Sequence, residues 1–143
     1  MSHTNVKSEW VDGNLVFYDK SRNIIKTIDG SNGYEILSGP GTVTQITSIT
    51  TGVTLAAIAG TITTVSSTLA AAAEADFVVT NSKVAATDVV VANIKSTSSA
   101  GTPIVSVAAV AAGSFTLRLT NLHATNALDN TLLINFVVIK AQA

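Results

Sequence analysis

"SFTLRLT", residues 114–120, is the stretch on which the fold turns. Phe115, Leu117 and Leu119 alternate with Thr116, Arg118 and Thr120, and successive side chains of an extended chain point to opposite faces. The segment reads as a strand with an apolar inner face and a polar outer one. Further along, "TLLINFVVIK" (131–140) has Leu132, Ile134, Phe136 and Val138 on one face and Leu133, Val137 and Ile139 on the other. Both faces want cover, which suits a central strand between sheet and sheet, or one at a subunit interface.

Working outward, Phe77 to Thr80, Asp88 to Lys95 and Ile104 to Val110 are further strands, separated by Gly, Asn, Ser or Pro. Thr, Val and Ile dominate the region, and their restricted χ1 suits a pleated surface better than a helix. Two segments fit less well. "STLAAAAEA" (67–75) is either a single helical turn or the lead-in to a strand. In "GTVTQITSIT" (41–50), Val43, Ile46 and Ile49 fall three apart, and a β-bulge between Val43 and Ile46 is the simplest repair. "GTVTQITS" at Gly41 is echoed by "GTITTVSS" at Gly60. Two copies are too few for a solenoid, so the echo reads as two similar strands bearing Thr ladders. About ten short strands with almost no helix predict an antiparallel β-sandwich or jelly roll. Few charged residues blunt its edges, and closed self-association is one remedy.

The N-terminal part differs in composition. Nine of the 17 charged side chains lie in residues 1–35, with Trp10, Tyr18 and Tyr34, whereas Ile36 to Ala73 carries no ionisable group. Leu15 to Tyr18 and Ile24 to Ile28 are β-prone runs separated by "DKSRN" and closed by Asp29-Gly30, which predicts a β-hairpin. An isolated hairpin is marginal in water, so its apolar faces dock on the body, a sister subunit or a partner. "ILSGPGT" (36–42) reads as a joint. The expected organisation is a hairpin arm over 1–35, a linker over 36–41 and an all-β, antiparallel jelly-roll-like body over 42–143.

Composition excludes several function classes. Charged residues make up 12% of the 143, about half the usual share, so much of the surface is Ser and Thr or is covered by other chains. A net charge of −1 without a basic block argues against nucleic acid. With no Cys there is no disulfide or thiolate chemistry. "MSHTNVKSEW" has no apolar signal region, and the apolar window 53–71 is too rich in Ser and Thr to span a membrane.

Catalytic and metal patterns are weak. Glu74 and Asp76 share a strand face, but the plain reading is a solvated strand start. His123, Ser114 and Asp129 make a triad on paper only, with no nucleophile-elbow sequence. "DKSRN" starts like a calcium loop, yet Ile24 stands where Gly is required. His3 and His123 are too few for zinc. "SGPGT" lacks the Lys of a phosphate loop. A glycan site on the body would lack its usual platform, since no Trp or Tyr follows Ile36. No enzyme activity and no cofactor are expected.

"GTVTQITSITTGVTL", "GTITTVSSTLAAAAEADFVVTNSKVAATDVVVANIKS" and "VSVAAVAAGSFTLRLTNLHATNALDNTLLINFVVIKA", in that order, resemble a β-rich module of tailed-bacteriophage virion proteins. The module occurs in capsid cement or decoration proteins and in some head-fibre and tail-fibre proteins, and the likeness covers essentially the whole body. "WVDGNLVFYDKSRNIIKTIDG" is similar to a short N-terminal element of phage structural proteins. The resemblance implies a jelly roll that assembles as a homo-oligomer, a trimer being favoured over a dimer. It also implies a place on the outer surface of the virion capsid, with the major capsid protein as partner and neither nucleic acid nor membrane involved. The implied role is a decoration protein that bridges capsomers; the alternative is a fibre-tip adhesin that binds a host surface. Trp10, Phe17 and Tyr18 are the candidate capsid contacts, because aromatic anchors dominate interface energies, although they could equally pack on their own body. The candidate subunit interface is the last strand: Leu132, Leu133, Ile134, Phe136, Val137, Val138 and Ile139.

Overall fold

The computed structural model describes residues 7–18, 21–22, 24–29, 33–34 and 40–141. The chain divides into two compact units, Met1–Gly39 and Pro40–Ala143. Every regular element among the described residues is a strand.

The first unit is a four-stranded antiparallel sheet in the order β1-β2-β3-β4, formed by Lys7–Val11, Asn14–Tyr18, Ile24–Asp29 and Gly33–Tyr34. The expected hairpin is present as β2 and β3, but it is the centre of a meander. The missing signal was Asp12-Gly13. These two residues join β1 to β2 with φ of 48° and 82°, the type I′ geometry that fits the strand twist and that Asp-Gly adopts readily. The Gly30 turn, residues 19, 20 and 23 of "DKSRN", residues 36–39 of the joint and His3 lie outside the described residues.

The second unit contains β5 (Gly41–Thr44), β6 (Val53–Thr54), β7 (Ala59–Thr63), β8 (Glu74–Thr80), β9 (Val89–Thr97), β10 (Pro103–Ala111), β11 (Ser114–Asn121) and β12 (Leu132–Ile139). They form two four-stranded sheets, β10-β11-β8-β6 and β5-β7-β12-β9. The inner faces share one core. Phe77, Val79, Phe115 and Leu117 from the first sheet meet Ile62, Val90, Ile134, Phe136 and Val138 from the second, and the Phe115 and Phe136 rings lie 5.1 Å apart. Fully burying a side chain of this size is worth about 1.5–3 kcal/mol. A second cluster, with Ile49, Leu69, Ala75, Leu119, Leu128 and Leu132, fills one end. The alternation expected in 114–120 is present, for Phe115, Leu117 and Leu119 are all buried.

Two expectations change and two readings are sharpened. The pairing is not antiparallel throughout: β5 pairs with β7 and β6 with β8 in parallel. Parallel neighbours need a crossover, and here β6, lying in the opposite sheet, carries the chain from β5 to β7. The echo positions turn out to be partners, Gly41 opposite Gly60, Thr42 opposite Thr61, Val43 opposite Ile62 and Thr44 opposite Thr63. No bulge separates Val43 from Ile46, because β5 ends at Thr44. Gln45 is buried while Ile46 is 82% exposed, and the Gln45 amide donates to the carbonyls of Ile49 (3.1 Å) and Thr51 (2.6 Å), folding the loop back. Of the two readings of residues 67–75, the strand lead-in is the one found, with no helical turn. Ala72 sits at φ 57° in a turn closed by Ala73 N–H to the Ala70 carbonyl, after which β8 begins.

The edges are also better guarded than charge alone implies. β5 and β6 are short, and β10 opens on Pro103 and carries a bulge between Val107 and Ala109. All three devices discourage pairing with strangers.

Candidate interaction surfaces

In the first unit, register assigns the faces. Trp10 lies opposite Leu15 and Phe17 opposite Ser8, so Trp10, Leu15 and Phe17 share a face. Tyr18 lies opposite Lys7, on the other face with Val16 and Glu9. The three predicted anchors are thus divided two and one. Trp10 is 73% exposed, whereas Phe17 and Tyr18 are half-buried and Val16 is buried. Tyr18 is tied locally. Its hydroxyl bonds the Glu9 carboxylate, which also pairs with Lys7 at 2.6 Å. Lys7, and after it Tyr18, hold the Glu9 carboxyl below its usual range, while desolvation and then Glu9 push the Tyr18 phenol up.

Strand β12 is the centre of its sheet, with β7 on one side and β9 on the other. Leu132, Ile134, Phe136 and Val138 are 0–4% exposed and line the body's own core, so they are not on a surface that another copy can reach. Leu133 and Val137 are half-buried on the outer face, and Ile139 is 52% exposed. Sequence reading missed their neighbours. Val137 lies opposite Val91 and Ala59, and Ile139 opposite Val89; Val89 and Val91 are 53% and 49% exposed. The signal was in "VVVANIK" (89–95), apolar on both faces like the last strand. Beyond this patch the outer face turns polar, with Asn93, Asn135, Thr61 and Thr42 in register and the Thr61 hydroxyl donating to Asn135 at 2.8 Å; the exposed Lys95 follows at the β9 bulge.

The outer face of the other sheet is charged. Arg118 lies opposite Asp76 and binds it through Nε and Nη2, both at 2.8 Å, with Glu74 3.6 Å from Nη1. The guanidinium holds the Asp76 carboxyl below its usual range. With Thr50 and Ala75 these groups line a shallow depression. Arg118 occupies both carboxylates of the paper acid/base pair, in an exposed ion network of small energetic weight.

The paper triad does not assemble. Ser114 starts β11 and His123 follows its far end, so the strand separates them by more than about 20 Å. His123 Nδ1 accepts the backbone N–H groups of Thr125 (3.2 Å) and Asn126 (2.9 Å), and Asp129 bonds Ser99 at 3.0 Å. Among the described residues no three His, Cys, Asp or Glu side chains cluster as a metal site, and no helix is long and apolar enough to cross a membrane.

Asp88 is the most enclosed charge among the described residues. Its side chain is fully buried at the β8–β9 turn, where it accepts from Ala85 N–H (2.7 Å) and Ala141 N–H (3.2 Å) and pairs with Lys140. Lys140 Nζ also reaches the Lys83 carbonyl at 2.9 Å. The Ala85 N–H first, then Lys140, hold the Asp88 carboxyl below its usual range. The constellation clasps the end of β12 to the turn that starts β9.

Compared with protein-family models, curated proteins and solved structures, the chain matches none.

Proposed function

We propose that the chain is a structural virion protein of the capsid cement or decoration type, which binds the outer surface of a phage head and bridges capsomers. The observation that carries this reading is Trp10, 73% exposed on a unit of its own, with Val11 and Ile24 also exposed. Trp is among the residue types that most often anchor protein interfaces. The sequence resemblance supplies the partner class, the major capsid protein. The finer view of the body as a jelly-roll-like sandwich draws support from the two facing sheets, although the parallel pairs loosen it. On this reading the protein performs no catalysis. It works by holding, and an oligomer turns weak single contacts into strong ones because each later contact is intramolecular.

The test is the number and position of copies on the particle, by quantitative mass spectrometry and cryo-electron microscopy. Many copies spread over the shell are expected; a few copies at the tail or one vertex would sink the reading and favour a fibre-tip adhesin. Trp10→Ala is expected to cut shell occupancy at least tenfold while leaving the body's thermal transition in place.

A further inference from the structure

We infer that the outer face of the β5-β7-β12-β9 sheet is where two copies of this chain stack, with their Val89, Val91, Val137 and Ile139 ends overlapping. The inference deepens the reading above, resting on it only for the expectation of self-association, and it replaces the last strand as a whole with one face of it plus β9.

The occupant follows from charge and area. The other outer face carries Glu74, Asp76 and Arg118, and a like copy laid on it would meet its own charges. The β9–β12 face has none of these. Its apolar end is built from Val89, Val91, Val137 and Ile139, and the middle from Thr and Asn. Lys95, the bulge residue of β9, stands about 13 Å along the strand from Val91 at 3.3 Å per residue. Of the charges nearest the apolar end, Asp88 and Lys140 neutralise each other, and Lys83 stands in the turn between β8 and β9, outside the four strands. A surface without net charge in its contact zone accepts its own copy without repulsion, whereas a charged partner gains nothing from it. At about 3.3 Å by 4.8 Å per residue, the part of the four strands short of Lys95 offers a planar footprint of roughly 330 Å² per copy. Two copies therefore cover roughly 660 Å² before side-chain relief is added, less than the roughly 1,000 Å² of a stable specific interface and in the range of weak, transient contacts. A concentration-dependent dimer is the expected form, and an isologous pair is the simplest closed assembly.

Purified full-length protein, without shells, tests this by analytical ultracentrifugation from about 1 to 200 µM, a range that brackets low-affinity association. The wild type is expected to pass from monomer to dimer. Val91→Lys, at an exposed position that tolerates the change in the monomer, is expected to weaken association at least tenfold with unchanged circular dichroism. Val78→Lys, equally exposed on the other sheet, should leave association alone. Because the chain has no Cys, Val91→Cys adds an independent readout: oxidation should give a disulfide-linked dimer, and Val78→Cys should not. A wild type that stays monomeric, a trimer, or a dimer indifferent to Val91→Lys overturns the inference. A monomer that still decorates shells would overturn it alone, and a dimer that never binds shells would instead overturn the capsid reading.

Discussion

Asn121 holds one end of the body together with a single amide. Its Oδ1 accepts the N–H groups of Thr102 and His123, both at 3.1 Å, and its Nδ2 donates to the carbonyls of Leu69 (3.3 Å), Ala70 (3.1 Å) and Asn126 (2.8 Å). The residue is wholly buried, so truncation removes the partner of the Thr102 and His123 N–H groups and of the Asn126 carbonyl, while the Leu69 and Ala70 carbonyls keep the N–H groups of Leu128 and Ala73. Each stranded group costs about 1–3 kcal/mol where water cannot replace the bond. Asn121→Ala should therefore destabilise by about 3 kcal/mol or more, read as a lower urea midpoint at unchanged slope. Asp88 governs a different variable. Its carboxyl titrates below the ordinary value of 3.8 in the folded chain, so its stabilisation is complete above the unfolded value and fades as pH falls through the lowered folded one. The urea midpoint should fall as pH drops below about 4, and Asp88→Asn should start lower at neutral pH and lose less on acidification. An equally steep acid loss in the variant would assign the effect to Asp76 or Glu9, which shift the same way. Neither residue stood out in the sequence. Asn121 is one polar letter at a strand end, and Asp88 lies in an ordinary turn; their importance comes from chain segments that only the fold brings near.

At the scale of elements, strands were legible and partners were not. Alternation in 114–120 and double-faced apolarity in 131–140 report burial, which is local, whereas parallel or antiparallel pairing depends on where the chain returns. The echo of residues 41–44 in 60–63 was the one sequence trace of a pairing, and its glycines explain why it is kept in register. Gly60 lies opposite Phe136 on β12 and beside Gly41 on β5. A Cβ on Gly60 would stand 2.9 Å from the Phe136 ring, 2.9 Å from the Gly41 carbonyl oxygen and 2.7 Å from Leu55 Cδ2. Leu55 can move, but the carbonyl belongs to the parallel ladder and the ring packs against Phe115. Gly60→Ala is thus expected to cost about 1–3 kcal/mol through overpacking, with the loss visible in thermal melts. A neutral result would mean that β5 can leave the sheet without consequence. The short arm gives the converse case: Asp12-Gly13 is a strong hairpin signal, and giving weight only to the β-branched runs on its far side hid strand β1.

Among the described residues, nearly all the buried apolar side chains lie in one unit and the most exposed aromatic, Trp10, in the other. Among the described residues Val16 is the sole buried apolar side chain of the first unit, and the other buried apolar residues belong to the second. The buried polar side chains of the second unit, Gln45, Thr64, Asn81, Asp88 and Asn121, find partners within it, and no buried side-chain nitrogen or oxygen among the described residues lacks one. The composition break near residue 35 hinted at this division, but low charge in the body did not say which of its faces was bare, because a Val on an inner face and one on an outer face are the same letter. A chain starting at Pro40 therefore retains the groups that its fold requires. It should melt within a few degrees of the full-length protein and keep the Val91-dependent dimer, since the valine face lies wholly in residues 59–139. Shell binding should disappear with Trp10. Differential scanning calorimetry, ultracentrifugation and a shell pull-down on the same preparation separate the outcomes. A fall in Tm of more than about 10 °C, the equivalent of roughly 2–3 kcal/mol for a domain of this size, would show that the first unit is part of the body's stability. Retained shell binding would move the anchor from Trp10 to the body.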